Sequence, residues 1–229
     1  MRVGIVTVGD ELLSGDTENT NATWLCDRLD ARGVEVRRVT TIPDDVADIA
    51  RTVNEYYAEY DAVIVTGGLG PTHDDRTMEG VAAAFGRDLV EHADAVEWLD
   101  GQDGYSAADL ADGTAHLPAG ARLLENDSGV APGAVVETVY VFPGVPDEMR
   151  TMFERVADEF TGTPRHAVTV EVDEPESALI DRLEELRDRF DVTVGSYPGE
   201  TVRIKLTAEE AATAEKAAAW LHERVQSPE

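Results

Sequence analysis

Two apolar runs constrain this chain more than anything else in it. Residues 2–9 carry Val3, Ile5, Val6 and Val8, and residues 61–66 carry Ala62, Val63, Ile64 and Val65. Such near-continuous runs belong to parallel strands covered on both faces. Between them, Ala22, Leu25 and Leu29 recur at helical spacing and Gly33 stands where a helix closes. Val34, Val36 and Val39 then read as a strand. A second helix follows, with Val46, Ile49, Val53 and Tyr56 on one face and Pro43-Asp44 at its start. Strands alternating with helices over the first 85 residues predict a three-layer α/β/α fold with a mostly parallel sheet. Ligands of such sheets gather beyond the carboxyl ends of the strands.

At one of those ends stands Thr66-Gly67-Gly68-Leu69-Gly70-Pro71-Thr72-His73-Asp74-Asp75-Arg76-Thr77. Glycine lets a backbone approach a ligand closely, and amides opening a helix favour an anion. Paired carboxylates suit Mg²⁺, a hard oxygen-seeking cation. The segment lacks the dinucleotide-binding spacing of glycines and the Lys-Ser/Thr pair of a Walker loop. It predicts a phosphate cradle built from Gly67, Gly68, Gly70, Thr72 and Thr77, with Asp74 and Asp75 as metal ligands. His73 is placed to touch phosphate. The plainer alternative is a tight strand-to-helix turn capped by Asp74 or Asp75.

Three other segments bring candidate groups to the same edge. Gly9-Asp10-Glu11-Leu12-Leu13-Ser14-Gly15-Asp16 follows the first strand. There Asp10 and Glu11 suit a metal or the edge of a base or pterin, and Ser14 and Gly15 a phosphate; otherwise it is a solvated loop in which Asp16 or Thr17 caps a helix. Asp44 follows the second strand and reads first as a helix cap. Phe142-Pro143-Gly144-Val145-Pro146-Asp147-Glu148 repeats the strand–glycine–helix order, with Gly144 able to approach a ligand and Asp147 and Glu148 complementing the helix dipole. Asn126-Asp127-Ser128-Gly129-Val130-Ala131-Pro132-Gly133 is turn-rich and suited to closing over the site.

The rest of the chain reads unevenly. Ala95, Val96 and Leu99 suggest a short helix and residues 105–112 another, with a break at Gly101-Gln102-Asp103-Gly104. Ala134-Val135-Val136 and Val139 to Phe142 are β-like, but Glu137-Thr138 is poor chemistry for a two-residue turn. Met149, Met152, Phe153, Val156 and Phe160 mark a helix. Thr161-Gly162-Thr163-Pro164 reads as a boundary, giving one domain over residues 1–162 and a small α+β domain over 163–229. The second has the order βαββα, and Thr207-Ala208-Glu209-Glu210 reads as a capping box for its last helix.

The charge is extreme, with 47 acidic against 19 basic residues and a net −28. No basic stripe exists to neutralise phosphates, so nucleic acid is excluded as a partner. Apolar periodicity persists between the acids, which argues against disorder. A surface this acidic fits concentrated salt, where screening shortens to about 3 Å near 1 M. No apolar run approaches the ~20 residues of a membrane span. The N-terminus reads as a strand rather than a signal peptide, and Cys26 is the only cysteine. These features point to the cytoplasm. The five histidines lack zinc-site spacing, and no nucleophile elbow occurs.

Taken together, Gly9 to Gly15, Thr66 to Thr77, Gly129-Val130-Ala131-Pro132-Gly133 and Pro143 to Met149 resemble the CinA N-terminal family of the molybdopterin-binding (MoaB/MogA-like) superfamily. The resemblance covers about residues 1–160. Residues 165–229, with Glu176-Ser177 and Ser196-Tyr197-Pro198-Gly199, are similar to the small domain that follows in CinA proteins. It implies a nucleotide- or pterin-handling enzyme acting at a phosphoanhydride, with Asp75 and Asp44 at the positions of the superfamily's catalytic carboxylates. It implies Mg²⁺ or another divalent cation, with K⁺ as a further cation, and a homo-oligomer. ADP-ribose hydrolysis, adenylyl transfer to molybdopterin and non-catalytic binding of a pterin or nucleotide are the activities it leaves open. Two departures narrow it. The chain stops before the nicotinamide-mononucleotide deamidase domain of full-length CinA proteins, so that activity is not expected. The loop reads Gly-Gly-Leu-Gly-Pro rather than the Gly-Gly-Thr-Gly of molybdopterin adenylyltransferases.

Overall fold

A computed structural model describes residues 1–70, 75–101 and 113–228. It divides into two compact units, Met1–Gly162 and Thr163–Glu229. In the first, the order is β1 (Arg2–Val8), α1 (Asp10–Ser14), α2 (Thr20–Asp30), β2 (Glu35–Ile42), α3 (Val46–Glu59), β3 (Ala62–Gly67), α4 (Thr77–Ala84), β4 (Leu89–Glu91) and α5 (Ala93–Asp100). Then come β5 (His116–Pro118), β6 (Arg122–Leu124), β7 (Gly133–Val136), β8 (Val139–Pro143) and α6 (Pro146–Val156). The main sheet has the order β2-β1-β3-β8-β7-β6. β2, β1, β3 and β8 run parallel to one another, and β7 and β6 close the sheet antiparallel.

Alternation within the apolar runs explains the layers. Val3, Ile5, Ala62 and Ile64 pack on one face with Leu25, Leu29, Met149 and Phe153 of α2 and α6. Val6, Val8, Val63 and Val65 pack on the other with Ile49, Val53, Tyr56 and Val81 of α3 and α4. Both faces of β1 and β3 are thus covered, as their sequences require. Phe153 stacks on Phe160 at 5.3 Å between ring centres, and Trp24 meets Phe153 edge-on at 5.5 Å.

Several local expectations give way to tertiary partners. The segment after β1 is no open loop; it forms the one-turn α1, which ends at Gly15 in the left-handed region (φ 81°). Asn19, rather than Asp16 or Thr17, caps α2 by accepting from the Ala22 N–H. Asp45, rather than Asp44, caps α3 and accepts from the N–H groups of Ala47 and Asp48. Val39 is exposed on β2, the edge strand of the sheet. The Glu137-Thr138 pair does turn a tight hairpin, with Val136 opposite Val139. Glu137 pays with a φ of 54°, and its carboxylate is held by Arg87. The expected helix at 105–112 and the Gln102-Asp103-Gly104 break lie outside the described residues.

The second unit contains β9 (His166–Val172), α7 (Ile180–Arg189), β10 (Thr193–Tyr197), β11 (Val202–Ala208) and α8 (Ala211–His222). Its antiparallel sheet has the order β10-β11-β9. Val170, Leu186, Ile204, Leu206 and Trp220 form its core. Thr207 is no helix cap: it lies within β11, paired with Thr193 and Ala167, and α8 starts three residues beyond Ala208. Among the described residues no helix is long and apolar enough to cross a membrane.

Candidate functional site

Parallel pairing brings four strand ends to one edge. Val8 stands opposite Ile42, Thr7 opposite Thr66, and Gly67 opposite Pro143. The residues that follow β1, β2, β3 and β8 therefore surround a shared cavity of about 420 Å³. Glu11, Asp44, Gly68, Gly70, Asp75 and Gly144 line it.

A polar girder fixes the first two ends. The Thr7 and Thr41 hydroxyls meet at 2.9 Å, and Asn19 Nδ2 donates to both, at 2.9 and 3.3 Å. The Gly9 N–H donates to the Ile42 carbonyl at 3.1 Å. Beyond it the Asp10 N–H donates to Asp44 Oδ2 at 2.9 Å. With Asp45 taking the cap of α3, Asp44 is left for the cavity. Burial raises its pKa above the ordinary carboxylate value, and the charges of Asp10, Glu11 and Asp75 raise it further against the opposing Asp10 N–H.

Glycines make room for the cavity's acids. A Cβ on Gly68 would collide with Asp75 Oδ1, and one on Gly70 would come within 2.8 Å of Oδ2. A Cβ on Gly9 would sit 2.5 Å from Glu11 Oε1, and one on Gly129 would overlap the Glu148 carboxylate. The glycine loop thus makes room for its own carboxylate. Gly67 packs instead into the wall, against Val8 and Thr77.

Of the residues singled out by sequence, Asp44, Asp75, Glu11, Gly68, Gly70 and Gly144 converge on the cavity. Gly67 and Thr77 lie just behind the loop; Thr77 is fully buried and its Oγ1 has no hydrogen-bond partner among the described residues. Asp10 does not line the cavity; it is exposed, and its part is the backbone N–H that holds Asp44. Ser14 is turned away, donating to the Glu11 carbonyl and to Asp16 Oδ2 at 2.7 Å. Asp75 does not cap α4, whose N-cap is Arg76 with no side-chain bond. Thr72, His73 and Asp74 lie outside the described residues. Sequence reading undervalued Glu148, taken as a helix-dipole complement, which lines the cavity beside Val130 and Val145. Asn21 went unread altogether. It is buried and donates from Nδ2 to the Gly144 carbonyl at 2.7 Å, pinning the loop after β8. Nothing in sequence separation could have shown it, because the partners stand 123 positions apart.

Among the described residues no group of three or more His, Cys, Asp or Glu is assembled to hold a metal. The donor chemistry nevertheless fits a hard cation, since Glu11, Asp44 and Asp75 are carboxylates facing one cavity. Mg²⁺ commonly takes only one or two carboxylates and completes its shell with water and substrate phosphates. Asp75, the described member of the Asp74-Asp75 pair, is the residue that would hold it.

Comparison with known proteins supports the fold. Residues 4–162 match the model of the probable molybdopterin binding domain, and residues 164–228 that of the FAD synthase middle domain. An Archaeoglobus fulgidus protein is 43% identical over 85% of this chain and 84% of its own length. A CinA-like protein of Salinibacter ruber is 36% identical over 91% of this chain, which spans 55% of that relative. A crystal structure of the protein CinA of unknown function from Thermoplasma acidophilum superposes with a TM-score of 0.64 at 34% identity. It covers 70% of this chain and 99% of its own.

Proposed function

The chain belongs to the family of probable molybdopterin-binding domains, in its CinA-like branch, and from that premise we propose that it hydrolyses the phosphoanhydride of a nucleotide such as ADP-ribose with a divalent cation. One observation carries the reading: a glycine loop and the carboxylates Asp44 and Asp75 meet in one cavity at the carboxyl ends of parallel strands. Backbone amides of the loop supply hydrogen bonds to phosphate oxygens. Asp44, whose affinity for protons is raised, takes the proton of a water that adds to phosphorus while the bridging P–O bond breaks. A bound Mg²⁺ supplies charge neutralisation on the phosphoryl oxygens. Without a cation, like charges ~4 Å apart would oppose phosphate entry by about 4 kcal/mol each at an effective dielectric near 20.

Adenylyl transfer to a pterin uses the same cradle, and the matched domain description favours it as the second reading. The test is ADP-ribose turnover with Mg²⁺, Mn²⁺, Co²⁺ and K⁺ in molar KCl, against ATP plus pterin. Asp75→Asn is expected to lower kcat by roughly 100-fold or more, the usual scale for such a group. Full activity in that variant removes Asp75 from the chemistry. Tight binding with no turnover under any cation would make the domain a non-catalytic holder.

A further inference from the structure

Glu148 does more than its place in the first turn of α6 requires. A carboxylate there complements the helix dipole simply by pointing into water. Here it is clamped. Asn126 Nδ2 donates to Glu148 Oε2 at 2.7 Å, and the same nitrogen donates to the Ala131 carbonyl at 2.9 Å. Asn126 Oδ1 accepts from the Ser128 N–H at 3.3 Å. Asn126 is only 1% exposed, so both ends of a buried amide are committed to holding this acid and its loop. Gly129 supplies the space in which the carboxylate lies.

We infer that Glu148 is a specificity-determining residue that accepts hydrogen bonds from the vicinal hydroxyls of a ribose, an assignment that rests on the nucleotide reading above. An ionised carboxylate only accepts, at about four lone-pair positions, and Asn126 occupies one. In a cavity that already holds Glu11, Asp44 and Asp75, a further rigid negative charge disfavours phosphate unless the ligand brings donors to it. Two neighbouring hydroxyls are such donors. An acid near a strand end binds ribose in the same way in dinucleotide-binding sheets.

Position favours the sugar over the base. Glu148 lies in the first turn of α6, four positions beyond Gly144, and a Cβ on Gly144 would stand 3.4 Å from the Gly67 carbonyl carbon. The acid therefore adjoins the phosphate cradle, where the sugar is the first donor-bearing group of a nucleotide. Val130 and Val145 line the same cavity and offer apolar surface to the C–H face of a ring.

The test measures calorimetric affinity of the whole chain for AMP and for 2′,3′-dideoxy-AMP, with Mg²⁺ in molar KCl. Wild-type protein is expected to prefer AMP by roughly tenfold or more, the scale of about 1.4 kcal/mol. In Glu148→Ala the preference falls to within about twofold, because AMP weakens and the dideoxy compound does not. Glu148→Gln keeps the side-chain shape and a partner for Asn126, and guards against loss of the fold; its single acceptor oxygen leaves a reduced preference. Equal wild-type affinity for both compounds, or a preference that survives in both variants, overturns the sugar assignment alone. Failure of wild-type protein to bind either compound overturns the nucleotide reading and this assignment with it.

Discussion

Gly68 sits where a methyl group and the Asp75 carboxylate would compete for one space. Gly68→Ala is therefore expected to displace the acid rather than unfold the chain, since a carboxylate at a cavity can swing away. Turnover of ADP-ribose should fall by roughly tenfold or more, with the melting temperature moved by no more than about 2 °C. An equal loss of stability and activity would show instead that the loop backbone has moved. Asp44 tests the electrostatics from the other side. Its folded pKa is raised, so the native state binds its proton more tightly than the unfolded chain does. The associated stability is present below the unfolded value near 4 and lost as pH rises through the folded value. Asp44→Asn keeps an acceptor for the Asp10 N–H and removes the charge. Ligand-free, it is expected to melt above wild type at pH 7, with the two curves converging below about pH 4. The same substitution should abolish turnover.

Elements show where sequence was sufficient and where it was not. β1, β3, α2, α3 and α6 were legible because each carries its apolar residues at the period of its own geometry, and those residues fill the two faces of the sheet. Caps were less legible, because adjacent acids look alike until their partners are known. Asp44 and Asp45 differ by one position, and the Asp10 N–H, 34 residues away, decides which of them faces the cavity. Thr207-Ala208-Glu209-Glu210 has the composition of a capping box, but full-length pairing of β11 with β9 holds Thr207 in a strand. In the second unit, Glu174 is the element-scale tie. Arg182 grips it with Nη1 at 3.0 Å and Nη2 at 2.6 Å, and the Gln226 N–H adds a bond of 2.8 Å. Arg182 also donates to the Arg224 carbonyl, so the pair binds the start of α7 to the segment after α8. These bonds lower the Glu174 pKa; their stability is present above the unfolded value and lost as pH falls through the folded one. Glu174→Gln is expected to lower the melting temperature of the Thr163–Glu229 unit by roughly 5–10 °C at pH 7, and by less in acid. An unchanged melt at pH 7 would show the tie to be ornamental.

At the scale of the molecule, charge and packing work against each other. The net charge is −28, and most described arginines are already engaged by acids, as in Arg28 with Glu154, Arg122 with Glu159 and Arg155 with Glu125 and Asp127. The surplus carboxylates repel one another wherever screening is weak. Raising KCl from dilute to molar is expected to lift the melting temperature by roughly 5 °C or more. A flat or falling melting curve would mean that the acid surface is not tuned to salt. The same crowding has a consequence at the cavity, where Glu11, Asp44, Asp75 and Glu148 face one small volume. An anionic ligand and a cation entering it relieve each other's electrostatic penalty, and thermodynamic reciprocity makes that relief equal in both directions. On the proposed nucleotide reading, the apparent dissociation constant for nucleotide is expected to fall as cation activity rises, the two solutes loading as a single cooperative event.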